Sequence, residues 1–180
     1  FNYYGFRICP DTDTVIYTLS DLADPIQGWG RGDETWFFME TFSSLGGDKW
    51  FNIGDRDLAL HVLRTHWLNQ GLSLTEVTSR ICEKLGVAIE VIPMSDQNVE
   101  TIVNTSMGAL PFQNYFVEQR CTPKVVSFSF EGIEDAKPNQ ILIANLAQNP
   151  RAVILAPSNP FVSIDPVLAL PNLKNIIKEC

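Results

Sequence analysis

The spacing of apolar positions changes period several times along the chain. Residues 13–24, DTVIYTLSDLAD, set Val15, Ile16, Leu19 and Leu22 at helical intervals. Asp11 or Asp13 can cap that helix, and Pro25 ends it. A glycine-rich turn, IQGWGRG over 26–32, leads to a second predicted helix over 33–45, stopped by Gly46-Gly47. The strongest pattern is DRDLALHVLRTHWLNQ, 55–70. There Leu58, Val62, Leu63 and Trp67 form one apolar stripe, Asp57, His61 and Arg64 fall on another face, and Gly71 follows as a C-cap. Ser73 and Glu76 spell a capping box for a helix to about Leu85, closed by Gly86.

The second half alternates more. VAIEVIP, 87–93, predicts a strand stopped by Pro93, and 99–105 predicts another. Residues 111–120 read as a short helix or turn, 124–132 as a half-buried strand, and 138–149 as a helix with Pro138 near its start. AVILA, 152–156, is a continuous apolar run with the look of a buried parallel strand. Helical LPNLKNIIKE closes the chain. This alternation predicts an α/β class with a mainly parallel sheet, in which the strand-free stretch from about 13 to 86 is a helix-rich insertion or lid. No domain boundary is visible, so 1–180 is expected to be one partial domain, a segment of a longer protein.

Composition narrows the function classes. With 13 basic and 21 acidic residues the net charge is −8, which argues against a nucleic-acid partner, though not against a local basic pocket for a phosphorylated ligand. Cys9, Cys82, Cys121 and Cys180 are scattered and form no CxxC motif, which fits a reducing compartment and predicts a cytoplasmic protein. No apolar run nears the ~20 residues of a membrane span, so no membrane association is expected. The opening FNYYGFRICP lacks the basic start and apolar stretch of a secretory signal.

Three segments carry candidate chemistry. Asp11 and Asp13, in CPDTDTV, bracket one residue at a helix start; such a pair suits magnesium or orients a hydroxyl nucleophile, and the plain alternative is an N-cap. Gly54-Asp55-Arg56-Asp57 sets Arg56 beside helix-start amides, which suits an anion, against a capping Asp with an exposed Arg. On the same helix, Asp57 and His61 have the spacing of a simple i, i+4 pair on a solvated face. Pro157-Ser158-Asn159-Pro160 is a rigid polar loop straight after the apolar run, where α/β folds bind ligands, and Ser163 follows at a helix start. The first fifty residues are crowded with aromatics, enough for core packing and for stacking a flat ring.

ICPDTDTVIYTL, ADPIQGWGR, IGDRDLALHVLRT, LTEVTSRICEKLG, VIPMSDQNVETIV, LPFQNYFV and APSNPFVSIDPVLALP stand in one order that resembles the 2-phospho-L-lactate transferase (CofD) family of coenzyme F(420) biosynthesis. The resemblance implies a Rossmann-like fold. It also implies an enzyme that moves a phospholactyl (or phosphoenolpyruvyl) group from a guanosine diphosphate ester to the ribityl hydroxyl of the deazaflavin FO, releasing GMP. Magnesium as cofactor and a homodimer are implied too. By motif, Asp13 would contact FO and orient its hydroxyl as the catalytic residue, with Asp11 and Asp13 as metal ligands. Asn52 stands where the family usually has Lys or Arg at the FO site, so Lys49 or Arg56 is expected to substitute. Asp55, Arg56, Ser158, Asn159 and Ser163 complete the substrate-binding set, the last three by the phosphates or guanosine. The family's opening Gly-rich strand-turn and its C-terminal part find no counterpart here. The other reading is a nucleotide-sugar-binding regulator of the related gluconeogenesis-factor type. Asp13→Asn in the complete protein is expected to lower turnover and leave the fold intact.

Overall fold

The computed structural model describes all 180 residues, Phe1–Cys180, as a mixed α/β chain gathered into two compact units, Phe1–Val91 and Ile92–Cys180.

The first unit opens with a short hairpin, β1 (Asn2–Tyr3) and β2 (Phe6–Arg7), antiparallel with Tyr3 opposite Phe6. Tyr4 and Gly5 form its two-residue turn with φ of 46° and 82°, the doubly positive pair that matches strand twist. Helix α1 runs Pro10–Leu19. Pro10 presets the first helical φ, so the helix starts three residues earlier than the apolar spacing alone predicts, with Asp11 and Asp13 inside its first turn and Cys9 at the cap. It ends early because Asp21 turns left-handed at φ 57°, which leaves Leu22 outside the helix. The loop that follows is closed by the Ala23–Arg31 bridge and by Asp24, whose carboxylate accepts from the amides of Ile26 and Gln27.

Helices α2 (Phe37–Ser44), α3 (Asp55–Asn69) and α4 (Leu74–Lys84) complete the unit. Gly46, Gly71 and Gly86 end them, each at positive φ. The capping box of α4 is formed in both directions: the Glu76 amide donates to Ser73 Oγ and the Ser73 amide to Glu76 Oε2. Ile16 and Tyr17 of α1, Leu60 of α3 and Val77, Ile81 and Cys82 of α4 share one core. Tyr3, Ile8 and Ile53 form a second, ringed by Phe1, Trp50 and Phe51 in edge-on aromatic contacts. Residues 87–93 form no strand; Val87 and Val91 instead pack on the first core from a loop.

The second unit is built on a three-stranded antiparallel sheet in the order β4 (Gly108–Pro111), β3 (Glu100–Thr105), β5 (Val125–Glu131), with β3 central. A π-helical turn, Asn114–Glu118, links β4 towards β5. Helix α5 (Gln140–Leu146) is capped by Asn139, whose Oδ1 accepts from the Ile141 amide; Pro138 lies just before that cap. Helices α6 (Asp165–Leu168) and α7 (Leu173–Glu179) follow a π-helical turn at Pro160–Ile164. Ala136, Leu146, Leu170 and Leu173 form the core of this unit.

Every strand pairing is antiparallel, so the mainly parallel sheet expected from the alternation is not formed by these residues. Residues 152–156 carry the cause. Their apolar side chains would suit a strand buried on both faces, but no other strand pairs with them, and Ile154 and Leu155 stay 85% and 58% exposed. β3 and β4 are instead joined by the two-residue Ser106-Met107 turn, for which antiparallel pairing is the available geometry, and β5 pairs antiparallel along the other edge of β3.

Gly132 closes this sheet at φ 81°, and a Cβ there would stand 2.4 Å from the Asn98 carbonyl oxygen. Both the backbone conformation and the space exclude a side chain. Gly132→Ala is expected to lower unfolding stability by about 2 kcal/mol or more, read as a reduced urea midpoint.

Candidate functional site

The polar stripe of α3 is the buried one. Asp57, His61 and Arg64 lie on a face turned inward, while Val62 and Leu63 of the predicted apolar stripe are 43% and 48% exposed. Arg64 decides the orientation. Its guanidinium is 1% exposed and meets Asp13, itself 4% exposed, in a two-pronged ion pair: Nη1 to Oδ2 at 3.0 Å, and Nη2 to Oδ1. Nη1 also donates to the Arg7 carbonyl and to His61 Nδ1 at 3.2 Å. His61 Nδ1 therefore acts as acceptor, which leaves the proton on Nε2, and Nε2 lies 3.0 Å from Asp57 Oδ2. Tyr17 Oη donates to Asp57 Oδ1 at 2.6 Å, and Arg31 sits over the Tyr17 ring. A continuous polar chain thus runs Tyr17–Asp57–His61–Arg64–Asp13.

The protonation states follow. Desolvation works to lower the Arg64 pKa, and the Asp13 charge and hydrogen bond, together with Cys9 and Tyr17, more than reverse it, so Arg64 stays charged. Burial raises the Asp13 carboxyl against the pull of Arg64. Burial would raise Asp57 too, but the hydrogen bonds of His61 and the Tyr17 hydroxyl, with the Arg64 charge nearby, hold it below the usual carboxylate range. Burial and the Asp57 charge push Tyr17 far upward, so it remains a neutral donor.

The GDRD segment is occupied from within. Glu34 places its carboxylate on the start of α3, accepting from the Arg56 amide at 2.8 Å and the Asp57 amide at 2.9 Å. Those are the amides expected to be free for an anion. Gly54 makes room for it, since a Cβ there would stand 2.2 Å from the Glu34 carboxyl carbon. Asp55 returns the favour to α2: its carboxylate accepts from Thr35 Oγ1 and from the amides of Phe37 and Phe38. Those hydrogen bonds, the Thr35 one first, lower the Asp55 pKa. Arg56 is exposed and donates to the Asp33 carbonyl.

Beside these caps lies an open groove of about 560 Å³, lined by Trp36, Met39, Glu40, Ser43, Lys49 and Asn52 among others. The structure thus brings Asn52 and Lys49 to one groove and leaves Arg56 out of its lining. Sequence spacing did not single out this groove; its visible trace is the aromatic crowding of the first fifty residues.

Ser158, Asn159 and Ser163 belong to the second unit. Asn159 spends its side chain on the Phe161 amide at 3.0 Å, starting the π-helical turn, while Ser158 is exposed and Ser163 half-buried. Asp11 and Asp13 do not stand as a free carboxylate pair: both Asp13 oxygens accept from Arg64, Asp11 is exposed, and no three acidic, His or Cys side chains converge.

Three outcomes follow from this geometry. Asp13→Asn strands the Arg64 charge in the core, so it is expected to cost stability by roughly 3–5 kcal/mol, contrary to the intact fold expected from sequence. Adding Arg64→Met to that variant should restore much of the loss. Gly54→Ala should dislodge Glu34 and cost about 1 kcal/mol, the worth of a helix cap. Asp57 has its folded pKa below the unfolded one, so its contribution is present above the ordinary carboxylate range and lost as pH falls. The gap in urea midpoint between the native chain and Asp57→Asn is therefore expected to be widest near neutrality and to close below about pH 4.

Comparison with known proteins gives these residues a context. The chain is 38% identical, over 97% of its length, to the phosphoenolpyruvate transferase of Mycobacterium leprae, and 40% identical, over 93%, to that of Streptomyces avermitilis. It spans 54% of each of those relatives. Among solved structures, protein BH3568 of Bacillus halodurans, described as a member of the UPF0052 family, matches with a TM-score of 0.57 at 16% identity, covering 92% of this chain and 49% of that one. That likeness is one of fold. The family model described as 2-phospho-L-lactate transferase CofD matches residues 1–180, from end to end, and the chain belongs to that family.

Proposed function

We propose that the full-length protein transfers a phosphoenolpyruvyl (or phospholactyl) group from a guanosine diphosphate ester to the ribityl hydroxyl of FO, releasing GMP. The observation that carries this reading is the 38–40% identity to relatives named phosphoenolpyruvate transferase, along nearly all of this chain. Those names favour phosphoenolpyruvate as the acid. The likeness to BH3568 concerns fold alone and adds nothing for the regulator reading. In this proposal residues 1–180 form part of one cytoplasmic CofD-like domain that pairs with a second copy. The exposed run 152–156 becomes a strand of its Rossmann-like parallel sheet.

The reaction balances simply. The ribityl oxygen forms a new bond to the phosphorus that carries the enolpyruvyl group. The bond from that phosphorus to the bridging oxygen breaks, GMP leaves with that oxygen, and the hydroxyl proton is released. Positioning and charge neutralisation supply most of the acceleration for such a transfer. Asp13 is the residue proposed to orient the hydroxyl. Its carboxylate is held by Arg64, and each oxygen has a further lone pair with which to accept from the hydroxyl. Arg56 offers an exposed cation to the donor phosphates, and Asp55 acts by fixing α2. Ser158, Asn159 and Ser163 are proposed for the donor side. Magnesium enters with the diphosphate of the donor rather than on a carboxylate cage of this chain.

The test is turnover of the full-length protein with enolpyruvyl-diphosphoguanosine and FO, followed by chromatography. GMP and the FO phosphodiester are expected in equal amounts. GMP formed without FO consumption, or no GMP at all, would remove the transferase assignment.

A further inference from the structure

Most arginines of the first unit are spent inside it. Arg64 is paired with Asp13, and the Arg56 guanidinium donates to the Asp33 carbonyl. Arg80 is exposed on α4, over the Trp67 ring and beside Glu76. Arg31 differs. It is half-buried, yet its guanidinium forms no ion pair and donates to no protein acceptor. It rests over the Tyr17 ring, 5.9 Å from the centroid. A ring face attracts a cation without using any of its N–H donors, so those of Arg31 stay unused. The loop holds the side chain at this place. Ala23 and Arg31 pair as an antiparallel bridge, the Asp24 amide donates to the Gly30 carbonyl, and the Gly32 amide donates to the Leu22 carbonyl. The Asp24 carboxylate is turned to the Ile26 and Gln27 amides, and Asp57 is engaged by Tyr17 and His61. Neither neutralises Arg31. The cation also lies near Asp13. Asp13 and Tyr17 are one turn apart on one face of α1, and the Tyr17 hydroxyl feels both the Asp13 negative charge and the Arg31 positive charge.

We propose that Arg31 is the catalytic cation of the transfer, its guanidinium meeting the non-bridging oxygens of the phosphorus that carries the enolpyruvyl group; this rests on the transferase reading above. In that step the ribityl oxygen bonds to the phosphorus and the bond from phosphorus to the bridging oxygen breaks. Arg31 neither takes nor gives a proton, because a guanidinium stays charged at any working pH. Its part is to hold the phosphoryl group and offset the charge that the transfer redistributes. A guanidinium presents paired N–H groups to two oxygens of one phosphate, which an ammonium does not. Arg64 is not available for this, since its donors go to Asp13, the Arg7 carbonyl and His61. A cation already fixed by its loop and by a ring face, with its donors unused, needs no reorganisation when the phosphate arrives.

The experiment compares turnover of the full-length protein with enolpyruvyl-diphosphoguanosine and FO in the native chain, Arg31→Ala, Arg31→Lys and Arg80→Ala, with urea midpoints measured alongside. Arg31→Ala is expected to lower kcat roughly a hundredfold or more while KM for FO changes less than about threefold. Arg31→Lys keeps the charge and loses the fork, so it should recover only part of the rate. Millimolar methylguanidinium should restore part of the turnover of Arg31→Ala and leave the native rate unchanged. Arg80→Ala removes a cation that stands equally far, 5.9 Å, from a ring, and should leave kcat and KM as they are. A kcat unchanged in Arg31→Ala would overturn the assignment and leave the transferase reading standing. A change confined to KM for the donor would make Arg31 a binding group only and overturn its catalytic role. So would a loss of turnover that follows a lowered urea midpoint and is not rescued by methylguanidinium. A native protein that forms no GMP would overturn the transferase reading and the role of Arg31 with it.

Discussion

The Asp13–Arg64 ion pair is the constraint around which the first unit is arranged. A guanidinium taken out of water is tolerated only with its charge matched and its donors used. Asp13 matches the charge; the Arg7 carbonyl and His61 Nδ1 take further donors. These partners come from β2, α1 and α3, so one side chain ties α3 to a β2–α1 segment 57 and 51 positions away in sequence. The apolar core of Ile16, Tyr17, Leu60 and Val77 supplies cohesion without direction. The ion pair supplies direction, because its geometry is satisfied in only one rotation of α3.

That explains which parts of the fold were legible in the sequence. Helices announced by local chemistry were readable: the Ser73–Glu76 capping box and Gly71 and Gly86 mark boundaries that the structure keeps. The facing of α3 was not readable from spacing. Leu58, Val62, Leu63 and Trp67 make a stripe as regular as the polar one, and only a partner in another helix turns Arg64 inward. The run 152–156 forms no strand within these residues for the opposite reason. Its composition reports a preference for burial, whereas a strand is made by neighbours that pair with it.

Several residues that the motifs single out are used within the fold itself. Asp13, Asn52, Asp55 and Arg56 were identified by motif, yet the roles that spacing suggested for two of them are already filled inside the protein. Asp55 caps a helix distant in sequence, and the start of α3 is closed by Glu34, a residue no motif marked. Short-range spacing describes what a residue can do with its neighbours in sequence; a carboxylate reaching across some twenty positions lies outside its view. The groove beside α2 left only its aromatic crowding to be read, since its walls come from both sides of the Gly46-Gly47 turn.

The exchange of carboxylates between Glu34 and Asp55 makes the starts of α2 and α3 a single cooperative element. Each helix is begun by a residue that lies next to the other's first turn, so neither end can fray alone. The amides of Phe37 and Phe38 and those of Arg56 and Asp57 are held by one clasp and share one opening event, which in hydrogen exchange is one common lifetime. The wall of the groove that α2 provides thereby inherits the rigidity of α3, and insertions in this segment are best tolerated around the exposed Leu45-Gly46 turn rather than at either end of the clasp.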